Sequence, residues 1–205
     1  MTRARRKPAK PLPVSPADAV EMLAADHKIL NKLFDEYRLL VETDDANTER
    51  KDAIVREASD LLALHTMIEE RAFYPALRRA TGANEDLDEA RVEHETMQEL
   101  VDQLRLLQAG DELYDAKFIV LGEIFTMHAK REEKDFFTKA RQSKIDLQKL
   151  GEEMLKMREE FVISMRVSQT VDDMNTAARD KGAPFNPRTE PGDKASFLVP
   201  PPGLR

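Results

Sequence analysis

Four stretches of this chain repeat apolar residues at intervals of three and four, the spacing that lays one stripe along an α-helix. The first stripe is Val20, Leu23, His27, Leu30, Phe34, Tyr37 and Val41, and the second is Ile54, Ala58, Leu61, His65, Ile68, Ala72 and Ala76. The third is Leu87, Ala90, His94, Met97, Val101, Leu104 and Gln108, and the fourth carries Leu121, Ile124, Phe125, His128, Glu132, Asp135 and Phe136. A helix with one apolar stripe must bury it against another helix. Four in a row with short connections predict an all-α, up-down four-helix bundle. The chain has four histidines, and each stripe carries one.

Local signals set the expected boundaries. Ser15-Pro16 suits a helix start. Thr43–Thr48 reads as a turn, and helix 2 runs from about Glu49 to Ala80, with Pro75 expected to kink it or end its regular part. Thr81–Asp86 reads as a loop, and helix 3 runs from about Leu87 to Gln108, with Gly110 as its stop. Helix 4 starts near Asp111. A fifth segment, about Asp146–Met165, carries Leu147, Leu150, Met154, Met157 and Phe161. This methionine-rich helix is expected to pack on the bundle, with partner binding as the alternative. The expected organisation is a disordered basic tail over 1–14, the bundle over 15–142, the additional helix over 143–166 and an extended proline-rich tail over 167–205. A protein partner could engage the tails or the fifth helix.

Composition narrows the chemistry. There is no cysteine, so thiolate metal sites and thiol nucleophiles are excluded. The net charge is −7, but the first eleven residues carry +5 and residues 165–205 carry +1, leaving −13 for residues 12–164. A body that acidic argues against nucleic-acid binding. No run of about 18 apolar residues marks a membrane span, and the N-terminus lacks the apolar core of a secretory signal. A cytoplasmic protein is expected.

Two of the histidines have a carboxylate four residues on, His65 with Glu69 and His128 with Glu132. A helix stacks i and i+4 on one face, so each pair can offer two ligands to one centre. Burying two glutamates and four histidines without partners costs several kcal/mol per ionised group, and metal ions remove that cost. Imidazole and carboxylate without thiolate suit Fe, Mn, Zn or Cu. Two ions bridged by Glu69 and Glu132, with two of His27, His65, His94 and His128 each, use all six residues. Ferritin-like sites instead use Glu-x-x-His. Here the residues three before the histidines are Ala24, Leu62, Arg91 and Phe125, none of them acidic.

Ligands from four helices must also sit at one depth. Counted from their connecting turns, His27 matches His65 and His94 matches His128 to within about a turn. The connection from the second helix to the third fits worse. His65 lies 15 residues before Ala80 and His94 about 7 after Leu87, an excess of about 12 Å that requires helix 2 to bend away after Pro75.

These residues carry a resemblance. Asp26-His27, His65-x-x-x-Glu69-Glu70 followed by Phe73-Tyr74-Pro75, Glu93-His94, and His128-x-x-x-Glu132-Glu133 followed by Phe136-Phe137 make the chain similar, over about residues 16–140, to the hemerythrin-like or HHE cation-binding family. The resemblance implies a non-haem di-iron centre, carboxylate- and oxo/hydroxo-bridged, that binds O2 or a related small ligand such as NO or peroxide. It implies that His27 and His65 bind one iron, that His94 and His128 bind the other, and that Glu69 and Glu132 bridge. Oxygen-carrying hemerythrins have a further histidine where this chain has Gln98, and they bridge through a residue at the position of Glu133. HHE relatives more often use that of Glu132, which is favoured here, with Glu70 and Glu133 solvated. The missing histidine shifts the expectation from plain O2 carriage toward NO or peroxide chemistry, or iron binding and sensing. A metal- and small-ligand-binding protein is expected ahead of a dedicated enzyme. The alternatives are a peroxide-consuming di-iron enzyme and a non-catalytic helical scaffold. Tyr74 reads by default as a core residue at the bundle end, with a hydrogen bond or ligand role as its sharper reading. Asp26 and Glu93 read by default as surface charge, with acceptance from an imidazole N–H as their sharper reading.

Overall fold

The computed structural model describes residues 18–43 and 47–180, with side chains to Ser164. Among them there is no strand. Helix α1 spans Ala19–Glu42, α2 Thr48–Ile68, α3 Tyr74–Thr81, α4 Asn84–Leu104, α5 Tyr114–Arg131, α6 Phe137–Gln142 and α7 Leu147–Asp180. Two five-residue π turns, Glu69–Phe73 and Glu132–Phe136, join α2 to α3 and α5 to α6, so each pair forms one continuous rod. The chain divides into two units at Phe161.

In the first unit α1 packs on α2 and α5, α4 packs on α5, and α2 packs on α4. That closes a ring in the order α1, α2, α4, α5, the up-down bundle expected from the stripes. The core forms two apolar clusters. One includes Leu23, Ile68, Leu77, Leu87 and Phe136, and the other Leu30, Tyr37, Ile54, Met97 and Phe118. Each histidine falls on its stripe between residues of the two clusters, so the polar layer lies between them.

The helix starts follow capping chemistry. Ser15 lies outside the described residues, and α1 begins at Ala19, capped by Asp18. The Asp18 side chain accepts from the Glu21 amide while Glu21 accepts from the Asp18 amide, a reciprocal cap. Asn47 caps α2 and Asp146 caps the start of α7 by accepting from the Lys149 amide. Helix α4 begins at Asn84, three residues before Leu87, and stops at Leu104 rather than near Gln108. The connection after it places Gly110 at φ 104° and Leu113 at φ 68°. Leucine pays for that left-handed backbone, whereas glycine does not.

Helix α7 is the clearest correction. It continues to Asp180, fifteen residues past Met165, so residues 167–180 are helix and not extended tail. All six prolines counted in the C-terminal region lie at Pro184 or beyond, and nothing before them breaks the helix. The tails 1–14 and 181–205 lie outside the described residues. Leu150 and Met154 of α7 are buried in the cluster of Leu23 and Ile68, with Met157 and Phe161 partly buried against it. Its methionine stripe therefore packs on the bundle.

Candidate metal centre

His27, His65, His94, His128, Glu69 and Glu132 are all buried, and both glutamates have 0 % exposure. Their donor atoms converge. The Nε2 atoms of His27 and His65 lie 3.2 Å apart, and those of His94 and His128 3.1 Å apart. Glu69 lies between the pairs, with Oε1 3.3 Å from His65 Nε2 and Oε2 3.3 Å from His94 Nε2. Glu132 Oε2 sits 3.3 Å from His27 Nε2 and 3.4 Å from His128 Nε2. Two groups could each hold an ion: His27, His65, Glu69 and Glu132, and Glu69, His94 and His128. Ligand atoms at about 2.1 Å from one ion lie about 3 Å from one another, so the spacings fit the donors of an ion. Both Glu69 oxygens and Glu132 Oε2 have no hydrogen-bond partner. Buried carboxylate oxygens without donors are costly, and a cation is the partner they lack.

The depth mismatch between helices 2 and 3 resolves locally. Glu69 lies 13 residues before Gly82 and His94 lies 12 after it. The carboxylate, one turn beyond His65, is the group level with His94. The π turn then begins at Glu69 itself. Regular α-helical bonding ends at Ile68, and the Tyr74 amide donates to Glu69 O five residues back. Pro75 sits just after it, within the first two positions of α3. It does not explain the feature, because an equal π turn starts at Glu132, where the Phe137 amide donates to Glu132 O and no proline follows. Common to both is His-x-x-x-Glu-Glu-x-x-Phe-aromatic. Each π turn adds a residue to a turn and rephases the helix. Tyr74 is thereby laid over His94 (5.6 Å, 18°) and Phe137 over His27 (5.5 Å, 12°).

Behind the ligating face, each Nδ1 meets a carboxylate: His65 with Asp26 at 3.4 Å, His94 with Glu70 at 2.9 Å, His128 with Glu93 at 2.7 Å, and His27 with Glu133 at 2.9 Å. The four contacts run around the ring, each helix supplying the acid for the next helix's histidine. A carboxylate accepts only, so each Nδ1–H donates outward, and in the neutral imidazole that a metal requires Nε2 keeps its lone pair toward the centre. The default of surface charge for Asp26 and Glu93 is therefore corrected. An acid beside a histidine cannot reach that imidazole, but it reaches the histidine of the neighbouring helix. Glu70 and Glu133 are partly exposed and still make this contact. Tyr74 is also more than a core residue. Its hydroxyl donates to Glu132 Oε1 at 2.7 Å and lies 3.3 Å from His94 Nε2. Its place nine residues after His65, matching Phe137 nine after His128, was the available signal. Gln98 is turned away, donating to Asp102 at 2.8 Å.

Electrostatics follow from burial and proximity. Burial lowers His65 to about 4 despite its bond to Asp26. For His128 burial also opposes charge, but the field of Glu132, the bond to Glu93 and the field of Glu69 outweigh it and raise the group to about 9. Burial and the neighbouring Glu132 charge push Glu69 well above the carboxylate range. Glu132 is also desolvated, yet the charge on His128 holds it below that range. Burial, then Glu69 and Glu132, raise Tyr74. Without metal, protons thus partly neutralise a cluster that cannot be fully ionised.

A ring of four helices around buried histidines and carboxylates defines a cation-binding helical bundle. The family model of the Hemerythrin HHE cation binding domain matches residues 18–140, and the chain belongs to that family. Among solved structures it is similar to a hemerythrin HHE cation binding domain-containing protein from Mycobacterium kansasii. The identity is 25% and the TM-score 0.60, with 72% of this chain and 89% of that one covered. Among curated proteins none matches the chain. No described helix is long and apolar enough to cross a membrane.

Proposed function

We propose that the cluster holds two non-haem iron ions and that the protein binds or senses a small ligand, O2, NO or peroxide, or iron itself. The observation that carries this reading is the set of buried carboxylate oxygens without hydrogen-bond donors, faced by four imidazole Nε2 atoms. His27 and His65 would hold one ion and His94 and His128 the other, with Glu69 spanning both and Glu132 closing the opposite side. Iron, when bound, supplies a reversible change of oxidation state and coordination positions for a small ligand. The donors number four on one side and three on the other, fewer than the six of an octahedral ion, so positions remain.

The chain's own residues shape what enters. Phe125 lies edge-on to His27 and to His65, and Phe137 covers His27, which excludes bulk water and strengthens local electrostatics. Tyr74 holds its proton at Glu132 Oε1. That proton supports a second reading, a peroxide-consuming enzyme in which the phenol serves as a general acid.

The test is metal analysis with optical spectra in air, without air, and with NO or peroxide added. Two iron ions per chain, and near-ultraviolet charge-transfer bands that NO alters, are expected. Protein purified with iron present that contains well under two ions per chain, and shows no such bands, would overturn the proposal. Peroxide turnover unaffected by His65→Ala would exclude the enzyme reading.

A further inference from the structure

Three of the four outer carboxylates are exposed at their side chains by 30 % or more: Glu70 30 %, Glu93 34 % and Glu133 49 %. Water can solvate part of their charge. Asp26, the partner of His65, is 5 % exposed and lacks that help. Its counter-charge comes from outside the four bundle helices. Arg158 of α7 donates from Nη2 to Asp26 Oδ2 at 2.5 Å, and the same Oδ2 faces His65 Nδ1 at 3.4 Å. Glu93 also has an arginine, but Arg131 belongs to α5 within the bundle. Arg158 lies 18 residues beyond the last residue matched by the family model. Leu150 and Met154, buried two turns and one turn before it, seat α7 on the bundle and fix where the guanidinium falls.

We infer that Arg158 is a positioning residue for the metal centre, acting through Asp26 on His65, so that the seating of α7 sets the metal affinity of the His27–His65 half. The inference rests on the metal reading given above. An arginine that carries Asp26's charge keeps that buried carboxylate aimed at one imidazole, and an imidazole held through Nδ1 presents Nε2 in a fixed direction. Without Arg158, Asp26 is a buried charge with no cation, relieved by turning the carboxylate outward or by taking up a proton, and either change weakens its hold on the Nδ1–H of His65. The other half has no such tie, since the acids of His94 and His128 reach solvent at the surface.

The test is stepwise Co2+ titration of the full chain, followed by visible absorption of the bound ion, with melting temperature measured in parallel. His27→Ala identifies the step belonging to the first half and His94→Ala the step belonging to the second. Arg158→Ala is expected to weaken the step that His27→Ala removes by about 10–100-fold, the effect of losing such an outer partner, while the other step stays within about threefold. Asp26→Asn should weaken the same step, and the double variant should add little. Arg158→Lys, which retains the charge, should recover most of the affinity. Wild-type affinity at both steps in Arg158→Ala overturns the inference. So does equal weakening of both steps with a lowered melting temperature and no rescue by lysine, which would make α7 merely structural. A wild-type chain that takes up no Co2+ and no iron removes the metal reading itself, a failure distinguishable from the others.

Discussion

The two halves of the centre are built alike and finished differently. Each has two imidazoles about 3 Å apart, a glutamate one turn after a histidine, a π turn starting at that glutamate, and an aromatic ring laid over the opposite histidine. Where the His27 half has the phenyl ring of Phe137, the His94 half has the phenol of Tyr74, bonded to Glu132 Oε1. Where His65 relies on a buried aspartate held by Arg158, His94 and His128 rely on partly exposed glutamates. One backbone pattern used twice thus gives a half tied to α7 and a half with a proton donor. The difference teaches that symmetry of helices does not carry symmetry of chemistry, because one phenol oxygen and one arginine from outside the ring set the halves apart.

The shared carboxylate is where the comparison breaks most completely. Glu69→Ala removes the carboxylate whose two oxygens face the two halves separately, Oε1 toward His65 and Oε2 toward His94, and metal analysis should find well below one ion per chain, where His65→Ala or His94→Ala should leave about one. Chelating the wild-type protein should lower its melting temperature by about 10 °C, if the ions stabilise the fold by about 4 kcal/mol. Tyr74→Phe makes the halves more alike. It should weaken metal binding by about tenfold through Glu132, whose other oxygen faces both His27 and His128, as read by stepwise titration.

The two halves also predict opposite pH limbs for the metal-free protein. The His65 pKa is depressed in the fold, to about 4, so unfolding takes up a proton and stability falls as pH drops from about 6.5 toward 4. The His128 pKa is raised, to about 9, so its contribution is complete below about 6.5 and is lost as pH rises toward 9. Glu69, raised above its usual 4.5, loses its contribution as pH rises and opposes the His65 limb, so denaturant melts from pH 4 to 9 should show little change between about 4.5 and 6.5 and a clear fall from about 6.5 to 9. With metal bound the alkaline limb should disappear, because a ligating imidazole carries no extra proton in the fold. A metal-free protein whose stability keeps rising from pH 6.5 to 9 would contradict this.

Changes away from the centre should move stability without telling the halves apart. A Cβ on Gly122 would lie 2.9 Å from Phe34 Cγ and Cδ1, and Phe34 is held by Phe118 and Phe125. Gly122→Ala should cost about 1–3 kcal/mol with metal content unchanged. Leu113→Gly relieves the φ 68° backbone. A leucine so exposed gives up little burial, and the variant should gain up to about 1 kcal/mol, the smallest effect of the series, measured by denaturant unfolding.

Much of this was legible in the sequence, for a simple reason. Helical periodicity is a local property, so the stripes through His27, His65, His94 and His128 gave the number of helices and their inward faces. The i, i+4 rule put Glu69 and Glu132 on those same faces. Helix ends were less legible. The Asp18 cap and the continuation of α7 to Asp180 rest on quieter signals, a reciprocal aspartate–glutamate pair and the absence of proline between Leu147 and Pro184. What no reading along one helix could supply is the contact between helices. Asp26 and Glu93 sit beside their own histidines in sequence but serve His65 and His128 across the ring. Arg158 reaches Asp26 over 132 positions of sequence. Tyr74 meets Glu132 only because a π turn, formed where the packed helix admits an extra residue, rotates its ring inward. Periodicity fixes which face of a helix is buried. Only packing fixes which neighbour that face meets, and in this protein the neighbours hold and orient the centre.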